Sequence, residues 1–169
     1  MKKNACRFCN ARLSKIFVDL GILPLANSFL NKEMLAKNEV KYPLVAYVCQ
    51  ECYLVQIAEF ASPVHIFTDY AYFSSFSNTW LKHSQEYANL ILKKFGFSSD
   101  NFIVEIASND GYLLQYFKEK NIPVLGIEPA ENVSKMANEM GIPTITKFFS
   151  SSLATELKNQ HKIPDLLIG

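Results

Sequence analysis

The sequence lacks a long apolar run, a strong net charge and the phosphate-binding pattern G-x-G-x-x-G. No stretch approaches the roughly 20 apolar residues that a membrane-spanning helix needs, and no apolar stretch of signal-peptide length follows the N-terminus. A formal net charge of +1 provides no overall field that would attract nucleic acid or an anionic membrane. We therefore expect a cytoplasmic protein that binds neither nucleic acid nor a membrane.

Cysteine is also scarce, and all four cysteines fall into two C-x2-C pairs. Cys6 and Cys9 form the first pair, and Cys49 and Cys52 form the second after a gap of 39 residues. Cytosolic thiols are normally kept reduced, and two such pairs can surround a tetrahedral Zn²⁺ with four thiolates. Because four thiolates leave no open coordination position, we predict a structural zinc. A redox C-x2-C pair or four unrelated buried thiols are the alternatives.

The order of apolar segments divides the chain into three parts: a zinc-binding domain (1–60), an aromatic linker with a helix (61–97) and an α/β region (98–169). The helix is predicted to begin at a Ser77/Asn78/Thr79 cap and to end at Gly96. From residue 101 strands and helices alternate, which indicates a Rossmann-like parallel sheet with helices on its faces. The segments are strands at 102–107, 123–128, 142–146 and 165–168, and helices at 111–120, 130–140 and 152–161. Because the last strand stops at Gly169, we expect this sheet to be incomplete.

A ligand site is predicted where the first of these strands turns into its helix, because doubly wound sheets bind ligands at the carboxyl ends of their strands. The turn holds two carboxylates, Glu105 and Asp110, which would repel a pyrophosphate and attract the ammonium and sulfonium of S-adenosylmethionine (SAM). The next strand ends at Glu128, which can accept hydrogen bonds from both ribose hydroxyls. The predicted cofactor-binding residues are Glu105, Ala107, Ser108, Asn109, Asp110, Gly111, Glu128 and Pro129.

Three motifs follow one another in an order that carries a family resemblance. They are the double C-x2-C module, the aromatic segment D-Y-A-Y-F-S-S (69–75) and E-I-A-S-N-D-G-Y-L-L (105–114). This order resembles the SAM-dependent sugar C-methyltransferases, which methylate nucleotide-linked 4-keto-deoxysugars. The resemblance covers nearly the whole chain and implies an N-terminal zinc domain followed by part of a SAM-binding domain. Ala107 departs from the pattern, because many SAM enzymes have a glycine there.

The resemblance also implies a chemistry: a proton is removed next to the ketone, and the resulting enolate takes the methyl group of SAM. A tyrosine of the aromatic segment lies near the substrate in this family, and it maps best onto Tyr72, with Tyr70 second. A phenol there could donate a hydrogen bond to the ketone oxygen or relay a proton. The family's base candidates, a histidine and acid cluster, would lie beyond Gly169, so this chain by itself is expected to lack the C-terminal catalytic residues.

Two other functions remain open at this stage. One is a zinc-ribbon module that binds nucleic acid or protein, and the other is an NAD(P)-dependent sugar oxidoreductase.

Ser74, Ser75 and Ser77 could contact SAM or cap the following helix. The last strand would leave an open sheet edge at residues 164–169, through which the chain could self-associate.

Overall fold

The computed structural model describes residues 5–58, 60–68 and 70–169, and the chain forms two compact units, Met1–Ile66 and Phe67–Gly169. Asp69, the first residue of the aromatic motif, lies outside the described residues. No helix among the described residues is long and apolar enough to cross a membrane.

The first unit is an antiparallel sheet of three strands in the order β1-β2-β3, with the first C-x2-C pair close to the start of the described chain. The strands are β1 (Lys15–Leu23), β2 (Tyr42–Val48) and β3 (Val55–Ile57), and a 3-10 turn at Met34–Ala36 lies between the first two. Strands β2 and β3 lie on either side of the second cysteine pair. The sequence interpretation did not identify β1. The buried apolar cluster of this unit consists of Cys6, Leu13 and Cys49, so two of its three members are thiols.

The second unit contains a parallel four-stranded sheet in the order β6-β5-β4-β7. This confirms the predicted α/β parallel-sheet fold. The chain moves outward from β4 to β6 and then returns to the other side of β4, so the strand order reverses beside β4, where sheets of this type bind ligands. Its strands are β4 (Ile103–Ile106), β5 (Val124–Ile127), β6 (Thr144–Ile145) and β7 (Leu166–Ile168). The helices are α1 (Pro63–Phe67, at the junction of the two units), α2 (Asn78–Phe95), α3 (Leu114–Lys118), α4 (Glu131–Glu139) and α5 (Ser151–Asn159).

Helix α2 begins and ends where its cap residues predict. The Ser77 hydroxyl accepts a hydrogen bond from the Trp80 amide, and Gly96 ends the helix in the left-handed conformation with its N–H bonded to the Leu92 carbonyl. Ala88 of α2 is fully buried in one apolar cluster of the unit, together with Phe117 of α3. A second cluster lies around Val104 and includes Leu153 and Leu157 of α5. The two clusters hold β4 and β5 in the middle of the unit.

Helix α3 is shorter than the sequence predicts, since it begins at Leu114 rather than at Gly111. The physical reason is the backbone of the preceding bend, where Gly111 has φ +81°. A residue in that left-handed region cannot start a right-handed helix. The chain therefore forms a longer bend between β4 and α3 than the predicted elements allow.

Candidate functional site

The four cysteine sulfurs come together in the first unit, and all of them lie within 4.8 Å of one another. Cys6 Sγ is 3.6 Å from Cys52 Sγ, and Cys9 Sγ is 3.5 Å from Cys49 Sγ. A tetrahedral zinc with Zn–S bonds of about 2.3 Å requires sulfurs roughly 3.8 Å apart. The thiols therefore fit a zinc ion that would be held entirely by this chain. The pKa of Cys6 is lowered to about 6, mainly by the backbone N–H of Cys9.

A buried glutamine, which the sequence interpretation missed, supports this cluster. The side chain of Gln56 donates from Nε2 to Cys6 Sγ over 3.1 Å and accepts the Arg7 backbone N–H at Oε1 over 3.0 Å. Such outer hydrogen bonds orient metal ligands and stabilise the thiolate form. The sequence gives no signal for it, because the alternation V-Q-I predicts that Val55 and Ile57 face inward, whereas in β3 Gln56 is buried and both neighbours are exposed.

The bend between β4 and α3 has three residues in the left-handed conformation: Ala107, Asn109 and Gly111, with φ of 57°, 50° and 81°. Asparagine and glycine adopt this conformation readily, whereas alanine adopts it at a cost of about 1 kcal/mol. Ala107, the departure from the family pattern, thus has the backbone conformation that favours glycine.

Gly126 of β5 makes room for this bend. A Cβ at Gly126 would lie 2.4 Å from Ser108 Oγ and 2.8 Å from Thr144 Oγ1. The bend can therefore fold over β5 only because that strand has no side chain at this position.

Glu128 follows β5 and connects the two loops at this edge of the sheet. Its Oε2 accepts the Asn109 backbone N–H over 2.9 Å, and its Oε1 accepts the Ala130 backbone N–H over 2.9 Å, immediately before α4. Glu128 is 6% exposed. Each carboxylate oxygen has a second lone pair, so a ligand hydroxyl could still bind.

Glu105 and Asp110 are 3% and 0% exposed, so together with Glu128 three carboxyl groups are buried at this edge of the sheet. The pKa of Glu105 is raised to about 8, first by burial and then by the charges of Glu128 and Asp110, while a hydrogen bond with Tyr112 opposes the shift. Burial and the charge of Glu105 raise the pKa of Tyr112 to about 12. The ion pairs of the described residues are exposed and lie elsewhere: Lys82–Glu86, Lys135–Glu139 and Lys147–Glu156.

Three buried oxygens in this region have no hydrogen-bond partner: Glu105 Oε2, Ser108 Oγ and Asp110 Oδ1. Buried polar atoms are normally paired with protein groups, water or a ligand, so three unpaired oxygens at one bend make it a candidate binding site. Two of the three belong to carboxyl groups, so a ligand that brings N–H donors and positive charge would satisfy them best.

Residues 70–75, which we call the tyrosine segment, lie against the same bend. The Asn109 side chain accepts the Ser74 backbone N–H and donates to the Tyr72 carbonyl, both over 3.0 Å. Asp110 Oδ2 accepts both the backbone N–H and the hydroxyl of Ser75, over 3.1 and 2.6 Å. The Tyr72 side chain is half-exposed. Two of the serines therefore have different roles: Ser77 caps α2, whereas Ser75 binds Asp110 of the bend.

The structure brings the predicted cofactor-binding residues together around this bend. Pro129 is half-buried in the loop after β5. Their role in binding a cofactor stays a prediction, as does the catalytic role of Tyr70 and Tyr72. Sequence reasoning missed Asn132, whose side chain holds the Tyr70 backbone, and Tyr112 beside Glu105. No sequence pattern marks Asn132, since its partner lies 62 residues away.

A separate cavity of about 250 Å³ lies between α5 and β7, lined mainly by apolar side chains such as Leu157, Ile163 and Leu167. It includes none of the acidic residues described above. Its lining offers little to orient a polar ligand, so the unpaired oxygens at the bend remain the better candidate site.

Comparison with known proteins gives one family match and one curated relative of note. Residues 6–67 match the family described as a putative zinc binding domain, which includes all four cysteines and confirms the predicted zinc module. The chain is 29% identical over 164 residues to the C-methyltransferase NovU of Streptomyces niveus. That alignment covers 97% of this chain and 39% of the relative, and it confirms the resemblance to C-methyltransferases.

Two solved structures are also similar to parts of the chain. The plantazolicin methyltransferase BpumL in complex with SAH matches with 21% identity and a TM-score of 0.36, covering 50% of this chain and 32% of that one. A SAM dependent methyltransferase from Archaeoglobus fulgidus matches with 18% identity and a TM-score of 0.31, covering 49% and 38%.

Proposed function

We propose that this chain is the zinc-binding and cofactor-binding part of a SAM-dependent C-methyltransferase that acts on a nucleotide-linked 4-keto-deoxysugar. In the proposed reaction a proton leaves the carbon next to the ketone, and that carbon then takes the methyl group. The observation that carries the proposal is the buried carboxyl cluster of Glu105, Asp110 and Glu128, in which two oxygens lack partners.

The charge of this cluster favours SAM over a dinucleotide. A pyrophosphate placed at the bend would meet the negative charges of Asp110 and Glu128, and like charges repel strongly in a buried site. SAM carries an ammonium and a sulfonium, and its ammonium can donate to Glu105 Oε2 and Asp110 Oδ1. When bound, SAM supplies the electrophilic methyl group, whereas this chain's residues hold and orient it.

The ribose of the cofactor would bind Glu128, whose two oxygens are fixed by backbone N–H groups and retain free lone pairs. A carboxylate that is already oriented loses little conformational freedom on binding. Asn109, Gly111 and Pro129 would contact the cofactor through their backbone, since the Asn109 side chain is occupied by the tyrosine segment.

Tyr72 is the better candidate to meet the sugar substrate, with Tyr70 second. Its backbone is fixed at the bend while its ring is half-exposed, so the phenol is available to a bound substrate. A phenol that donates to the ketone oxygen would stabilise the negative charge that develops when the neighbouring proton leaves.

The likeness to NovU supports the methyl-transfer part of this proposal, and the name of that C-methyltransferase agrees with transfer to carbon. Because this chain spans 39% of that protein, the sugar substrate and the catalytic base rest on the family resemblance inferred from the sequence.

Isothermal titration tests which cofactor the zinc-loaded chain binds. SAM, S-adenosylhomocysteine and NAD⁺ are titrated separately. We expect saturable binding of SAM, weaker binding of S-adenosylhomocysteine because it lacks the sulfonium charge, and no binding of NAD⁺. The variant Glu105→Gln should weaken SAM binding, whereas Glu86→Gln, which changes an exposed acid of the same unit, should not. Preferential binding of NAD⁺ would contradict the assignment.

A further inference from the structure

The backbone of the tyrosine segment is held by two asparagine side chains, one from the bend and one from the start of α4. Asn132, in the first turn of α4, accepts the Tyr70 backbone N–H at Oδ1 over 3.0 Å and donates from Nδ2 to the Tyr70 carbonyl over 2.7 Å. Asn109, in the bend, makes the corresponding pair of bonds with Ser74 and Tyr72. An asparagine amide offers both a donor and an acceptor, so each side chain can bind an extended backbone as a neighbouring strand would.

Glu128 connects these two asparagines. One carboxylate oxygen binds the backbone N–H of Asn109, and the other binds the N–H of Ala130, which precedes the helix that carries Asn132. Anything that fixes Glu128 therefore restrains both loops at once. In addition, Asp110, which has one unpaired oxygen, uses its other oxygen to hold Ser75.

We propose that Asn132 and Asn109 are positioning residues, which couple occupancy of the carboxyl cluster to the placement of Tyr70 and Tyr72. This inference rests on the proposed function, because the ligand of the cluster is taken to be SAM. A ligand that binds Glu128 and Asp110 stiffens the two loops and, through the asparagines, the backbone that carries both phenols. Without a ligand, the bend and the start of α4 lack this restraint, and the segment opens more easily.

Asn132 is the better position for a test, because its backbone is helical and tolerates alanine, whereas Asn109 has a left-handed backbone. The matched control is Asn138→Ala, in the same helix. The Asn138 side chain also binds backbone groups: it accepts the Thr144 N–H and donates to the Ser134 and Thr144 carbonyls. It thus holds β6 rather than the tyrosine segment. Asn132→Asp retains the acceptor for Tyr70 and loses the donor.

The experiment measures amide hydrogen exchange by NMR on the zinc-loaded chain, with and without SAM. In the wild type we expect SAM to slow exchange of the Tyr70 and Ser74 amides by about tenfold. In Asn132→Ala the Tyr70 amide should exchange about tenfold faster, the size expected for one lost hydrogen bond, and SAM should no longer protect it. Asn132→Asp should give an intermediate value, and Asn138→Ala should behave as the wild type does.

Two further readouts separate positioning from a purely structural role. Because coupling is reciprocal, Asn132→Ala should weaken SAM binding by no more than the factor by which SAM protects Tyr70 in the wild type. The ring signal of Tyr72, assigned by its loss in Tyr72→Phe, should shift on SAM addition in the wild type and much less in Asn132→Ala.

The outcomes distinguish the two proposals. If the wild type binds SAM but the Tyr70 and Ser74 amides gain no protection, the coupling is wrong while the proposed function stands. The coupling is also wrong if Asn132→Ala and Asn138→Ala give the same exchange and binding. If the wild type does not bind SAM at all, the proposed function fails and the coupling to SAM fails with it.

Discussion

Replacing Glu105 by glutamine should make the second unit more stable at alkaline pH and less sensitive to pH. Burial and the charges of two nearby carboxylates raise the pKa of Glu105 from 4.5 to about 8. The folded state therefore holds a proton on this group at pH values where the unfolded chain has lost it. Glutamine has nearly the same shape as the protonated acid and never ionises, so the variant lacks this dependence on pH.

The expected size follows from the two pKa values. Below pH 4.5 Glu105 is protonated in both states and costs nothing, and the cost grows as the pH rises through the folded-state pKa of about 8. A difference of about 3.5 pKa units corresponds to roughly 5 kcal/mol at most, reached above pH 8. Between pH 6 and pH 8.5 the wild type should lose about 3 kcal/mol of stability through this group.

Urea unfolding followed by tryptophan fluorescence measures this loss, because Trp80 is the sole tryptophan and its ring lies 6.0 Å from that of Tyr112 in the second unit. The free energy of unfolding should fall between pH 6 and pH 8.5 by about 3 kcal/mol more in the wild type than in Glu105→Gln. Glu86→Gln serves as the control and should follow the wild type. Equal slopes in the wild type and Glu105→Gln would refute the reasoning.

Three further predictions follow from the same geometry. Gly126→Ala places a methyl group 2.4 Å from Ser108 Oγ, so it should lower stability by about 1–3 kcal/mol in thermal unfolding and weaken SAM binding; an unchanged melting temperature would contradict it. Glu128→Gln turns one acceptor into a donor that faces a backbone N–H, and titration should show about tenfold weaker SAM binding as well as a stability loss of about 1–3 kcal/mol. Cys49→Ser should abolish stoichiometric zinc in metal analysis, because the fully buried Cys49 is one of four ligands; retention of one zinc per chain would exclude the tetrathiolate site.

Local sequence signals were sufficient to predict an element where its hydrogen-bonding residues are close to one another along the chain. Helix α2 has its boundaries because Ser77 and Gly96 satisfy the helix ends within one turn. Alternating apolar and helical segments likewise predicted every strand of the parallel sheet. A boundary shifted where the backbone of a bend decides it, as at the left-handed Gly111, where the helix was predicted to begin and which α3 follows only from Leu114.

The sequence by itself determined the four-thiol metal site and the parallel α/β fold. Repeated C-x2-C spacing and apolar periodicity are local properties of the chain, and they do not depend on how distant segments pack. Only the tertiary structure decided that Glu105, Asp110 and Glu128 are buried together, and that Gln56 and Asn132 support the two sites. Those relations depend on strand register and on the bend folding over Gly126, which place residues in contact that are far apart in the chain.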